Sequence, residues 1–313
     1  MNTQANVYST AIHTTDVHAA EPTVQAVPSI SKSAMFVELS FSVWTGKKLD
    51  KRATKETVDA NGAATGTGSF HKKLLGDCAS LEAVQKFAAN ARTQHYAATA
   101  PWSDLGQRLI PNAAFTEYHK WVTGMESEFW VLVEAFLQEY TWAQSEAQAK
   151  LAGLYNPNEY PSVDTLRAKF KFRYSYSIIP DMGDFRLDIN NEAQTYLKEQ
   201  YANHYTQQLN NAMKDVWQRT YDTLTKMSER LDYPAHADKG AKKIFRDSMI
   251  DNVQDMMGLL IKFNITNDSR LDAMRVSLED AMYGVSPDAL REDDEFRLET
   301  KRKVDSVLSN MKW

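Results

Sequence analysis

The sequence predicts an α+β fold that is mostly α: long helices in an antiparallel hairpin, a small antiparallel β-sheet and further C-terminal helices. Three observations carry that expectation. Gly and Pro are scarce, 12 and 9 in 313 residues, and both are costly inside helices. Two extended segments, near 113–152 and 191–233, repeat apolar residues every three or four positions. Shorter segments alternate apolar with polar residues, the period of a half-buried strand.

Residues 1–34 are rich in Thr, Ala, Val, Ser and Pro without periodicity, so a disordered tail is expected there, with 35–313 as a single mainly helical domain. Val37, Leu39, Phe41 and Val43 alternate with Glu38, Ser40, Ser42 and Trp44, which predicts a strand near 36–44 that turns at Thr45-Gly46. The small residues of 61–68 suit an exposed loop, and Leu81 to His95 reads as a helix with Ser80 as its cap. Tyr118, Val122, Met125, Phe129, Leu132, Phe136 and Tyr140 are spaced 4, 3, 4, 3, 4 and 4, close to a heptad seam. At 1.5 Å per residue the helix that carries them is roughly 60 Å long and calls for a partner of similar length. Leu209, Met213, Val216, Thr220, Leu224, Met227 and Leu231 supply a matching stripe that ends before Pro234, so the two rods are expected to lie side by side.

Between the rods, Phe170, Phe172, Tyr174, Tyr176 and Ile178 share one face of a strand near 169–178, and Pro180 stops it. Phe185, Leu187 and Ile189 alternate in turn, which predicts a second strand near 185–189 and a hairpin through 181–184. The C-terminal region, 238–312, carries helical stripes at Met249 to Leu260 and at Leu271 to Met282. A last helix opens at Ser286-Pro287-Asp288, with cap, N1 proline and first-turn carboxylate in order, and is expected to run unbroken to Met311.

Composition also limits the chemistry. A net charge of −5 gives no global attraction to nucleic acid or anionic lipid, and no apolar run is long enough to suggest a membrane span. Cys78 is the single cysteine, which excludes an internal disulfide and points to a reducing cytoplasm. No histidine pair has zinc-ligand spacing, the glycines of 66–68 lack phosphate-loop spacing, and no nucleophile elbow occurs. The expectation is a protein without cofactor, metal or catalytic residues.

Charge is unevenly placed. Lys47, Lys48, Lys51 and Arg52 follow the first strand, Lys72 and Lys73 follow the glycine loop, and Lys169, Lys171 and Arg173 decorate the second strand. If those strands are neighbours, the cations converge on one polar sheet face able to bind phosphates, with Trp44 as a platform for a base. The acidic run Glu292, Asp293, Asp294 and Glu295 is a candidate for docking a partner protein.

Several stretches together resemble a phage-associated family of unknown function, often encoded near MoxR-type AAA+ ATPases and von Willebrand factor A-type proteins. They are residues 41–50 (FSVWTGKKLD), Lys72-Lys73-Leu74-Leu75, residues 101–106 (PWSDLG), and Tyr160-Pro161-Ser162 leading to Phe170-Lys171-Phe172; the resemblance spans about residues 36–310. It implies a phage or prophage origin, hence a host cytoplasm, and an ATPase partner, and it brings no catalytic residues. The expected function is therefore that of a noncatalytic adaptor or assembly subunit, self-association included. The alternative is a single-strand nucleic-acid binder.

Overall fold

A computed structural model of the chain describes residues 30–180, 191–236, 243 and 246–311. The fold is mostly helical α+β, with a small antiparallel sheet, long helices and a set of C-terminal helices. In chain order the elements are β1 (Ala34–Ser42), β2 (Lys47–Leu49), α1 (Lys51–Ala60), β3 (His71–Lys73), α2 (Ala79–Ala98), β4 (Ala100–Pro101), β5 (Arg108–Pro111), α3 (Asn112–Leu151), α4 (Val163–Arg167) and β6 (Lys171–Ser177). After these come α5 (Asn191–Leu231), α6 (Ser248–Phe263), α7 (Ser269–Ala281), α8 (Pro287–Glu292) and α9 (Asp294–Asn310). The expected strand at 185–189 and nearly all of the expected tail, 1–29, lie outside the described residues.

Four antiparallel strands form the main sheet in the order β4-β5-β1-β6, while β2 and β3 pair separately. The alternation along β1 decides what covers the sheet. Phe36 faces a cluster built mainly from α5 to α9, whereas Val37 faces a cluster built on α2 and α3. On β5, Leu109 and Ile110 divide in the same way. The two 40-residue-class rods therefore lie on opposite faces of the sheet, which corrects the expectation of a hairpin between them. Each stripe finds nearer partners: α3 packs on α2 and the sheet, and α5 packs on α6, α9 and β4.

Aromatic rings weld each face. Phe41 stands 4.7 Å from Phe172 and 6.0 Å from Phe129, and Phe136 lies 5.7 Å from Phe170, all edge-to-face. On the other face Trp102 lies 5.0 Å from Phe36 and 5.4 Å from Tyr205. The Tyr205 hydroxyl accepts the Ile30 N–H at 3.1 Å, and Ile30 is wholly buried, so the end of the expected tail is tied into the core.

Helix ends are closed by long-range arginines. The last carbonyls of a helix carry partial negative charge and lack intrahelical donors. At the end of α2, Arg219 of α5 donates to Tyr96 O and Ala97 O at 3.0 Å and to Thr99 O at 2.9 Å, and Arg108 of β5 shares Thr99 O at 2.9 Å. At the end of α5, the buried Arg297 of α9 donates to Leu231 O at 2.5 Å and Tyr233 O at 2.9 Å, with its guanidinium 3.5 Å from the Tyr233 ring centroid.

Candidate interaction surfaces

The predicted basic residues do not share one sheet. Lys47 and Lys48 sit on β2, Lys51 and Arg52 on α1, and Lys73 on β3, whereas Lys171 and Arg173 lie on β6 of the main sheet with Lys169 just before it. The chain limits how far apart the groups are: Lys171 pairs with Ser42 in register, and Lys47 follows Ser42 by five residues, at most about 18 Å of extended backbone. Lys47, Lys48, Lys51, Lys169, Lys171 and Arg173 are exposed and, among the described residues, have no carboxylate within ion-pair distance. Arg52 and Lys73 are less available, being paired with Glu56 at 3.3 Å and with Asp77 at 2.9 Å.

Two residues of the predicted patch serve the fold instead. Lys72 is 5% exposed, and its ammonium meets Asp50 at 3.0 Å, Glu159 at 2.9 Å and the Leu154 carbonyl at 2.6 Å. Burial opposes its charge, yet the carboxylates of Glu159 and Asp50 outweigh that and raise its pKa. Trp44 is half-buried, its ring about 6 Å from those of Phe136 and Tyr140, so it packs on α3 and offers no free platform for a base.

The sheet does present a polar, uncovered half. Glu38, Ser40 and Ser42 stand opposite Ser175, Arg173 and Lys171 on the same face as Phe36, but beyond the reach of the α5 cluster. A shallow depression of about 680 Å³ lies there, lined by Glu38, Ser40, Arg173, Ser175 and Leu105.

The acidic run also divides. Asp293 caps α9 by accepting the Phe296 N–H at 2.9 Å, and Asp294 accepts from Arg297 at 3.1 Å and from the His236 N–H at 2.6 Å. Glu292 and Glu295 remain exposed and unpaired among the described residues. The expected single C-terminal helix is thus two, because Asp293 adopts φ −113°, ψ 103° and restarts the helix as an N-cap.

Buried titratable groups are structural in setting. His95, 1% exposed, lies 2.7 Å from the Tyr118 hydroxyl through Nδ1; burial, aided by the Arg108 charge, lowers its pKa to about 4, so it is neutral at pH 7. Cys78 is buried. Among the described residues no group of three His, Cys, Asp or Glu could hold a metal ion, and no helix is long and apolar enough to cross a membrane.

Two surface features escape sequence reading. The outer flank of α3 exposes Val131 by 69% and Trp142 by 66%, three turns apart, because the sheet and α2 take the opposite flank. A cleft of about 690 Å³ also opens between α5, α6 and the end of α2. Comparison of the chain with protein-family models, with curated proteins and with solved structures returns no match in any of the three.

Proposed function

We propose that the protein is noncatalytic and acts by binding, as an adaptor or assembly subunit of a phage or prophage in the host cytoplasm. The observation that carries this reading is the outer flank of α3, where Val131, Ala135, Gln138 and Trp142 follow one another at helical spacing and all face solvent on a rigid rod. Large apolar side chains aligned in this way gain most by docking a second helix. The family resemblance suggests a MoxR-type AAA+ ATPase as the partner, with the exposed Glu292 and Glu295 as a separate acidic contact. Light scattering after size exclusion, and titration with a MoxR-type AAA+ ATPase, test the proposal. Self-association or ATPase binding that Val131→Asp with Trp142→Asp removes supports it; a monomer that binds no ATPase overturns it.

A second reading has its own support: the exposed cations Lys47, Lys48, Lys51, Lys169, Lys171 and Arg173 lack carboxylate partners among the described residues. Such groups can neutralise phosphates of a single strand, and binding would then weaken steeply with salt. Replacing Lys47, Lys48, Lys171 and Arg173 by Glu is expected to abolish a mobility shift, and no shift at low salt for the native chain sinks this reading.

A further inference from the structure

We infer that the cleft between α5 and α6 is a binding site for a small phosphorylated molecule, on the grounds that three cations with no ion-pair partner among the described residues line it. Lys226 and Arg230 stand one turn apart on α5, and Arg246 lies two residues before the start of α6, with Asp247 between, itself paired with Arg291. None of the three side chains has an ion-pair or hydrogen-bond partner among the described residues. Partners at helical spacing exist and are not used: Asp222, one turn before Lys226, accepts from Gln218 at 2.8 Å instead. Like charges four residues apart on a helix repel, so the arrangement costs stability until an anion enters.

The remaining wall defines the ligand further. Ser248 and Asn252 add neutral hydrogen-bonding groups, and Met249, Met256 and Leu259 add an apolar surface. Asp255 is the one carboxylate in the lining among the described residues, able to accept from an amine or hydroxyl and to repel a continuing phosphate chain. A cleft of about 690 Å³ lies within the usual range for small-molecule sites. The combination fits a phosphate ester with a partly apolar, donor-bearing body, such as a nucleoside phosphate. Whether the chain assembles with other proteins has no bearing on this site.

Calorimetry on the full chain in low salt, with ATP, AMP, inorganic phosphate and an oligothymidylate as probes, tests the inference. A nucleotide should bind saturably and at least about tenfold tighter than inorganic phosphate, and Lys226→Gln with Arg230→Gln should weaken it at least about tenfold. Arg246→Gln alone should weaken it as well, while Lys120→Gln on α3, away from the cleft, should leave it unchanged. All the substituted side chains are exposed, so circular dichroism should match the native chain. No saturable binding of either nucleotide, undiminished binding in the Lys226/Arg230 variant, or an oligothymidylate that outcompetes ATP for this cleft would each overturn the inference.

Discussion

Lys72 and Arg297 are both buried cations, but different groups hold them: the carboxylates of Glu159 and Asp50 with one carbonyl, Leu154 O, hold the first, and backbone carbonyls hold the second. Arg297 answers the carbonyls at the end of α5, so Arg297→Ala leaves those acceptors buried and opens a void. A loss of about 3–5 kcal/mol is expected by urea denaturation, and Arg297→Lys should recover little of it because an ammonium cannot span the same acceptors. Lys72→Gln should lower stability too, without changing the salt dependence of any nucleic-acid binding, since its ammonium is already engaged. His95 gives a pH signature. Its folded pKa, about 4, lies below the ordinary 6.5, so between those values the unfolded chain binds a proton that the native chain refuses. Stability should fall as pH drops from 6.5 to 4, by up to about 3 kcal/mol, and His95→Gln should remove that part of the dependence in denaturation curves compared at pH 7 and 4.5.

At the scale of elements, caps and turns decide where segments stop. Asp293→Ala removes the side-chain cap of α9, and a loss of about 1 kcal/mol is expected by thermal melting. Gly46 links β1 to β2 with φ +64°, and a Cβ there would lie 2.8 Å from a Leu81 methyl of α2. Gly46→Ala should therefore destabilise by about 1–3 kcal/mol, through both backbone strain and the clash, and Leu81→Ala should relieve only the second part. The regular elements were legible because their periods are long: β1, β6, α2, α3 and α5 each show enough repeats to stand out. Strands β2 to β5 span two to four residues each, too short for a period, and exist because a neighbouring strand supplies their hydrogen bonds. The break at Asp293 was hidden because an acidic run reads equally as solvated helix surface and as a capping residue.

For the molecule as a whole, the sheet separates two packed clusters that share few neighbours. Phe129→Ala on one side and Leu209→Ala on the other should each cost about 2–5 kcal/mol, and the double variant should match their sum within about 0.5 kcal/mol. Strong coupling would mean that the rods touch after all. Side-chain links still cross between the two clusters: Arg219 ties α5 to the end of α2, and Lys262 of α6 meets Glu117 of α3 at 2.6 Å. The sequence alone determined the helix-rich class, the two rods and the approximate places of the main strands, because each rests on local periodicity or composition. Only the tertiary structure decided that the rods take opposite faces of the sheet, that Lys72, Trp44, Asp293 and Asp294 serve the fold, and that Lys226, Arg230 and Arg246 meet at a cleft. An apolar stripe states that a face is buried but not by what, and a charge in the sequence carries no record of the counter-charge that long-range folding brings to it.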